Sequence, residues 1–241
     1  MVQDVIGCLA ADVVVQGASP RESIADALGV AQTIIQYAGT VAFAISAALL
    51  AGRRRMNVVG VVVFGVLVAV GGGTTRDVLL GDLPVYWVAD PAPLFVAAIA
   101  AAVTIPMART GGLSALQRYD VVQVSDSAGL ALFTVLGTNI ALETGAGAVS
   151  AVLVGVVSGV GGGIIRDTIA GRTPEVLASG SLYASAAIGG SILNLMLLET
   201  SVWPPIASTI AVAFIVILRL LSMHFGWGVP RFVIDRSEDP S

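Results

Sequence analysis

Gly71-Gly72-Gly73-Thr74-Thr75-Arg76-Asp77 recurs 90 residues later as Gly161-Gly162-Gly163-Ile164-Ile165-Arg166-Asp167. Each copy ends an apolar run without Asp, Glu, Lys or Arg, which covers 56–75 in the first copy and 144–165 in the second. The register extends beyond the motif, because 16 of 53 aligned pairs between 38–90 and 128–180 are identical without a gap. We therefore interpret the chain as two copies of one structural unit.

The composition indicates a membrane protein. Of the 241 residues, 56% are hydrophobic and only 12% are charged, whereas a soluble domain carries about 25% charged residues. Several charge-free runs are long enough to cross about 30 Å of hydrocarbon as helices. The predicted spans are 30–51, 57–80, 92–110, 123–142, 146–170, 182–200 and 206–225. The chain is thus predicted to be an all-α membrane protein with seven transmembrane helices.

The repeat predicts how the spans are organised. Each copy contains three spans, an odd number, so the two copies must lie antiparallel in the bilayer as inverted three-helix repeats. Such repeats are typical of solute transporters and place the substrate path at the repeat interface. The chain is predicted to divide into an extramembrane N-terminal segment at 1–29, a channel domain at 30–225 and a cytoplasmic tail at 226–241. Within the channel domain, the repeats cover 30–111 and 120–200, and the seventh helix covers 206–225.

Arginine placement predicts the orientation. The chain has no Lys, so all 12 basic residues are Arg, and cytoplasmic loops collect basic residues. Nine arginines fall on one side of a seven-span chain: Arg53, Arg54, Arg55, Arg109, Arg118, Arg172, Arg219, Arg231 and Arg236. We therefore expect a protein of the cell's inner membrane, with its N-terminus outside and its C-terminus in the cytoplasm. The net charge of −4 and the lack of a basic run predict no nucleic-acid partner.

The glycine triplets are predicted to interrupt their helices. The 14 residues of 57–70 extend about 21 Å as a helix, so Gly71–Gly73 lie at membrane depth. Each glycine costs about 1 kcal/mol in a helix relative to Ala, which favours a kink or an unwound turn. Free backbone groups at this depth must face protein or a water-filled cavity, as a permeation path would provide. Close helix packing is the alternative. A phosphate-binding loop is excluded because it requires Lys.

The charged residues of the motifs are expected to pair or to face water, because a charge inside a membrane helix is costly. Arg76 with Asp77, and Arg166 with Asp167, are interpreted as clusters at the two mouths of a path or as structural ion pairs that cap half-helices. Helix neighbours lie about 100° apart, so the two side chains of one motif are expected to point to different places. Asp126, near the predicted start of the fourth span, is interpreted as an N-cap or as a pore-mouth acid.

Polar residues within spans one and four are expected to form interhelical hydrogen bonds. These residues are Gln32, Gln36, Thr40, Ser46, Thr138 and Asn139. No set of a nucleophile with its base, and no metal-ligand cluster, is visible in the sequence. We therefore expect neither an enzyme nor a bound cofactor or metal.

The paired motif, together with Phe43 and Phe133 in equivalent positions, resembles the bacterial branch of the trimeric intracellular cation (TRIC) channel family. The resemblance covers 30–225. It implies a homotrimer in membrane lipid, with a pore for K⁺ and Na⁺ in each subunit, lined by kinked second and fifth helices that carry the glycine triplets. Animal members hold a phosphoinositide with basic residues near the fourth helix. This chain departs from them, because 123–142 contains no Lys or Arg.

Three functions are compatible with the sequence. The first is a passive monovalent cation channel whose narrow part is edged by backbone carbonyls at the glycine triplets. The second is a secondary transporter for a small solute such as an amino acid, since inverted repeats with broken helices suit it equally well. The third is a non-conducting scaffold. Discrete single-channel current steps would distinguish the first function from the second.

The predicted orientation can be tested with thiol labelling, because Cys8 is the only cysteine. A membrane-impermeant thiol reagent should label Cys8 in intact cells if that residue is accessible to solvent. A cysteine introduced by Ser237→Cys should be labelled only after the membrane is permeabilised. Labelling of the Ser237→Cys variant in intact cells would contradict the odd number of spans.

Overall fold

The computed structural model describes residues 20–110, 120–178, 182–200 and 202–228. Within these ranges the chain forms eight α-helices, one 3₁₀ turn at Glu175–Leu177 and no strand. In chain order the helices are α1 Pro20–Arg53, α2 Val58–Leu80, α3 Tyr86–Ala89, α4 Ala92–Arg109, α5 Val121–Glu143, α6 Ala148–Ile169, α7 Tyr183–Leu198 and α8 Pro204–Phe225. Cys8 and the polar tail at 231–241 lie outside the described residues.

Seven of these helices coincide with the seven predicted spans. Five are long and apolar enough to cross a membrane: Leu28–Arg53, Val58–Leu80, Val121–Glu143, Ala148–Ile169 and Pro204–Phe225. Two shorter apolar helices, Ala92–Ala108 and Tyr183–Leu198, occupy the places of the third and sixth spans. The prediction of an all-helical, multi-pass membrane protein is confirmed, whereas α3 was not predicted.

The ends of the helices are set by local capping. The Asn57 side chain accepts the Gly60 N–H at 2.7 Å at the start of α2, and Gly81 ends that helix with a φ of 70°. Asp120 caps α5 by accepting the Val122 N–H at 3.1 Å. Arg53 donates two hydrogen bonds to Asp120, of 3.0 and 2.9 Å, and thereby holds the pKa of that carboxyl below its ordinary value. The proposal that Asp126 caps this helix is therefore wrong.

Of the two expectations for the glycine triplets, the unwound turn is wrong, whereas the kink stays a prediction. Helix α2 runs without interruption from Val58 to Leu80, and α6 runs from Ala148 to Ile169. Threonine hydroxyls add hydrogen bonds in the first triplet: Thr74 donates to the Val70 carbonyl at 2.8 Å, and Thr75 donates to the Gly71 carbonyl at 2.9 Å. The backbone therefore stays helical, and the cost of glycine is offset by packing between helices.

The triplets are where α2 and α6 cross. A Cβ added to Gly72 would overlap the carbonyl oxygen of Ser158. A Cβ on Gly162 would lie 2.9 Å from the Phe43 ring and 3.1 Å from the Val68 carbonyl oxygen. Neither site has room for a methyl group without movement of backbone. Small residues of this kind let membrane helices approach closely, so the packing interpretation accounts for the middle glycine of each triplet.

Helices α1 and α5 cross in a reciprocal way. Phe43 of α1 packs on Gly129 of α5, and Phe133 of α5 packs on Gly39 of α1. The two rings have their centroids 5.5 Å apart. These four residues form two pairs 90 positions apart in the sequence, so each repeat contributes the same ring and the same glycine. The earlier residue of α1 contacts the later residue of α5, and the later residue of α1 contacts the earlier one of α5. The two helices are therefore antiparallel.

The crossing of α2 and α6 predicts the effect of adding one methyl group. Gly72→Ala should destabilise the folded protein by about 1–3 kcal/mol, as expected for overpacking. Gly52→Ala is the matched control, because Gly52 is helical and a Cβ there meets nothing within 4 Å. That variant should be neutral or stabilising by up to about 1 kcal/mol, the helix propensity difference. Thermal unfolding in detergent measures both. Equal stability of the two variants would contradict the packing role.

Candidate functional site

The first buried charge centre lies near the end of α2, where Arg76 and Asp77 are 2% and 1% exposed. The Arg76 guanidinium donates from Nε to Asp77 Oδ1 at 2.8 Å, and Nη2 lies 2.6 Å from the same oxygen. The expectation that these neighbours point apart is wrong, since the long arginine side chain folds back onto the adjacent carboxylate. Asp77 Oδ2 also accepts the Tyr86 backbone N–H at 2.8 Å, at the start of α3.

The second centre, near the end of α6, repeats this arrangement. Arg166 donates from Nε to Asp167 Oδ1 at 3.0 Å and from Nη2 to Asp167 Oδ2 at 3.1 Å. Asp167 Oδ2 accepts the Glu175 backbone N–H at 3.0 Å, at the start of the 3₁₀ turn. In both motifs the aspartate is therefore a counterion for its neighbour and a cap for the next helical turn. Capping was predicted, but for broken half-helices.

Arg166 has a further counterion on another helix. Its Nη1 lies 2.8 Å from Oδ1 of Asp126 and 2.9 Å from Oγ of Ser46. Asp126 is fully buried, so the interpretation of this residue as a pore-mouth acid is wrong. It is a structural charge that joins α5 to α6. Ser46 also donates to the Val122 carbonyl at 2.9 Å, as expected for a polar residue at a helix–helix contact.

The second centre contains a further buried arginine that was not predicted from the sequence. Arg219 of α8 is buried, and its Nη2 lies 2.6 Å from Glu175 Oε1. The Tyr183 ring covers the guanidinium at 4.6 Å. We had counted Arg219 among the cytoplasmic arginines. The signal that could have identified it is a charge within an otherwise apolar helical run, which tends to face protein rather than lipid.

The other polar residues of spans one and four lie at helix contacts. Thr138 shares a hydrogen bond of 2.8 Å with Ser191 of α7. Asn139 accepts from Asn194 at 2.7 Å and donates to Ser208 of α8 at 3.0 Å. Thr40 is buried. Gln32 of α1 donates to Glu143 of α5 at 2.5 Å. The prediction of interhelical hydrogen bonds is confirmed for Gln32, Ser46, Thr138 and Asn139.

The second centre predicts a strong dependence on Arg166. Arg166→Gln should lose about 3–5 kcal/mol of stability, because removing one partner of a buried pair leaves an uncompensated charge. Adding Asp126→Asn to that variant should restore part of the loss, since the double variant removes both charges. A double-mutant cycle based on unfolding in detergent measures the coupling. If Asp126→Asn brings no recovery, the two residues do not act as a pair.

A family model described as glycine transporter matches the chain twice, over residues 33–109 and 123–199. The UPF0126 inner membrane protein YadS of Escherichia coli K12 is 40% identical over 204 residues, which cover 84% of this chain and 97% of that protein. A UPF0126 membrane protein of Vibrio cholerae is 36% identical over 203 residues, 84% of this chain and 83% of its own. The two family matches fall on the two sequence repeats.

Two solved structures have the same fold. The TRIC trimeric intracellular cation channel orthologue from Rhodobacter sphaeroides gives a TM-score of 0.75 at 33% identity, covering 81% of this chain and 98% of its own. A structure that explains conductance through TRIC cation channels gives 0.73 at 31% identity, covering 85% and 98%. The chain therefore belongs to the glycine transporter family of bacterial UPF0126 membrane proteins and is a prokaryotic member of the TRIC channel family.

Proposed function

We propose that the protein is a channel for monovalent cations, K⁺ or Na⁺, with one path in each subunit of a homotrimer. The observation that carries this proposal is the likeness to TRIC cation channel structures, at 33% and 31% identity over 81% and 85% of the chain. No enzymatic step and no bound cofactor are part of the proposed function.

The proposed topology has seven crossings in two inverted three-helix repeats followed by α8, with the N-terminus outside. Three observations support it. The family model matches each half of the chain separately. The Phe43–Gly129 and Phe133–Gly39 contacts exchange equivalent residues between the halves. The arginines of the sequence collect on one side of such a chain.

The proposed path runs between α2 and α6 at the glycine crossing. Gly72 and Gly162 are in close contact with the opposite helix, so this conformation is closed at that level. Buried hydroxyls lie on the surrounding helices, on Thr40 of α1, Thr134 of α5 and Ser158 of α6. Conduction requires α2 and α6 to separate there, which would give these hydroxyls and the freed surface access to water and ions.

A secondary transporter of a small amino acid is the second candidate. The description of the matching family model as a glycine transporter favours it, and a tightly closed crossing is compatible with alternating access. The two candidates differ in their kinetics: a channel gives discrete current steps, whereas a transporter gives slow, saturable uptake without steps.

The channel proposal predicts K⁺ current steps from purified protein in a planar bilayer, with a reversal potential that follows the K⁺ gradient. A disulfide across the crossing should abolish this current. A Cβ on Gly71 would meet the Ile165 side chain, so Gly71→Cys with Ile165→Cys, in a Cys8→Ser background, places two thiols across the crossing. Oxidation should stop the current and reduction should restore it.

Each single cysteine variant in the same background is the matched control and should conduct under both conditions. A cross-linked double variant that conducts normally would show that the path does not pass between α2 and α6. Saturable uptake of radiolabelled glycine without current steps would favour the transporter instead.

A further inference from the structure

A cleft lies between α1 and α8, at the side of the protein where α5 and α7 end and α8 begins. Both α1 and α8 pack on α5, and the cleft between them has a volume of about 190 Å³. Its walls are mainly apolar and include Leu28, Ala31, Ile35, Leu142 and Leu198. In a bilayer such a volume is filled by lipid or by another subunit, because an empty gap forfeits van der Waals contacts.

The rim of this cleft carries a carboxylate without a cationic partner. Glu143, the last residue of α5, lines the cleft and is exposed. It accepts from the neutral Gln32 amide at 2.5 Å through Oε1 and forms no ion pair with any residue that the structure describes. The equivalent position in the other half is Arg53, which is paired with Asp120. The second oxygen of Glu143 can therefore accept from a cationic donor outside the chain.

A hydrogen-bond donor lies one helical turn further into the cleft. Ser208 of α8 lines it and accepts from Asn139 Nδ2 at 3.0 Å, whereas its own hydroxyl proton is donated to none of the described residues. Asn139 precedes Glu143 by four residues, which places it about 6 Å deeper along α5. From the rim inward, the cleft thus presents an acceptor for a cation, then a hydroxyl donor, between apolar walls.

This order of groups matches a phospholipid, which presents a charged headgroup, ester carbonyls and acyl chains from the membrane surface inward. We propose that the cleft binds a phospholipid whose headgroup carries a primary ammonium, such as phosphatidylethanolamine. Glu143 accepts from the ammonium, and Ser208 donates to an ester carbonyl. The first methylene groups of one acyl chain fill the apolar volume, which is about six times the volume of a water molecule in the liquid.

The charge of the rim selects between lipid headgroups. Anionic lipids are recognised by clusters of Lys and Arg, and none of the described residues that line the cleft is basic. An anionic headgroup would therefore meet the Glu143 carboxylate without a counterion. A choline headgroup is cationic but has no N–H, so it lacks the charge-assisted hydrogen bond. This inference goes beyond cation conduction and does not rest on it, since lipid binding is measured without current.

The first test is native mass spectrometry of the full chain released from detergent, which reports the number of lipids and of subunits together. The probes are phosphatidylethanolamine, phosphatidylcholine and phosphatidylglycerol with identical acyl chains. Phosphatidylethanolamine should be retained at one molecule per subunit, with an affinity about threefold to fivefold above the other two, as expected for an exposed charge pair. Retention of phosphatidylcholine or phosphatidylglycerol equal to that of phosphatidylethanolamine overturns the proposal.

The second test removes the charge of the rim. Glu143→Gln keeps the size of the side chain and an oxygen that accepts from Gln32, so the variant should fold as the native chain does. Its preference for phosphatidylethanolamine over phosphatidylcholine should disappear. Glu199→Gln is the matched control, because Glu199 is an exposed carboxylate that follows the cleft residue Leu198 but does not line the cleft. The preference should persist in that variant. If Glu143→Gln keeps it as well, Glu143 does not bind the headgroup.

The third test fills the cleft from the chain itself. Ala31→Phe places a ring in the apolar volume and should abolish the retained phosphatidylethanolamine, while Tm without added lipid stays unchanged or rises. Ala38→Phe is the matched control, since Ala38 is exposed on the same helix and does not line the cleft, and it should bind lipid as the native chain does. If Ala31→Phe changes the number of subunits but keeps the lipid preference, a partner subunit occupies the cleft and the proposal is wrong.

Discussion

The close approach of α2 and α6 at Gly72 and Gly162 is the contact on which the rest of the structure depends. In a bilayer, lipid is as apolar as the side chains, so helices associate through van der Waals contact and hydrogen bonds rather than through the hydrophobic effect. Phe43 transmits this contact, because it packs on Gly162 and also on Gly129 of α5. One ring therefore connects the α2–α6 crossing to the α1–α5 crossing, and a side chain at Gly129 or Gly162 would collide with it.

The buried charges of the two motifs are tolerated because Arg76 and Arg166 each have a counterion at the next position in the chain. A central charge in a membrane helix costs about 2.5–3.5 kcal/mol on insertion scales. Asp77 and Asp167 neutralise that charge and also cap the short helical segment that follows. The ion pair between Arg219 and Glu175 then joins α8, which has no counterpart in the repeat, to the second half. Charge pairing thus holds the segments that follow α2 and α6 in place and attaches α8. Glycine packing sets how closely the helices approach one another at their centres.

The helices could be predicted from the sequence because charge-free runs and flanking polar residues mark them: 57–80 was predicted and Val58–Leu80 is observed. The site was predicted less well. A glycine triplet is compatible with a broken helix and with close packing, and only the partner helix, here Ser158 against Gly72, decides between them. The pairing of Asp126 with Arg166 joins two helices whose relative rotation a single sequence does not give. The burial of Arg219 was not predicted because a charge near a helix end resembles an interfacial anchor.

The differences between the two halves indicate how the structure can move. Arg166 is tied to α5 through Asp126 and to α1 through Ser46, so the end of α6 is held by two neighbouring helices. Arg76 is tied to Asp77 of its own helix and to the Tyr86 ring of α3. Separating the end of α6 would break a fully buried ion pair, a costly event in a medium without water. Among the described residues, Arg76 forms its ion pair only with Asp77 of the same helix, so movement of this end of α2 breaks no ion pair between helices. If the proposed path is correct, an opening of the glycine crossing therefore costs less when α2 moves against a fixed α6.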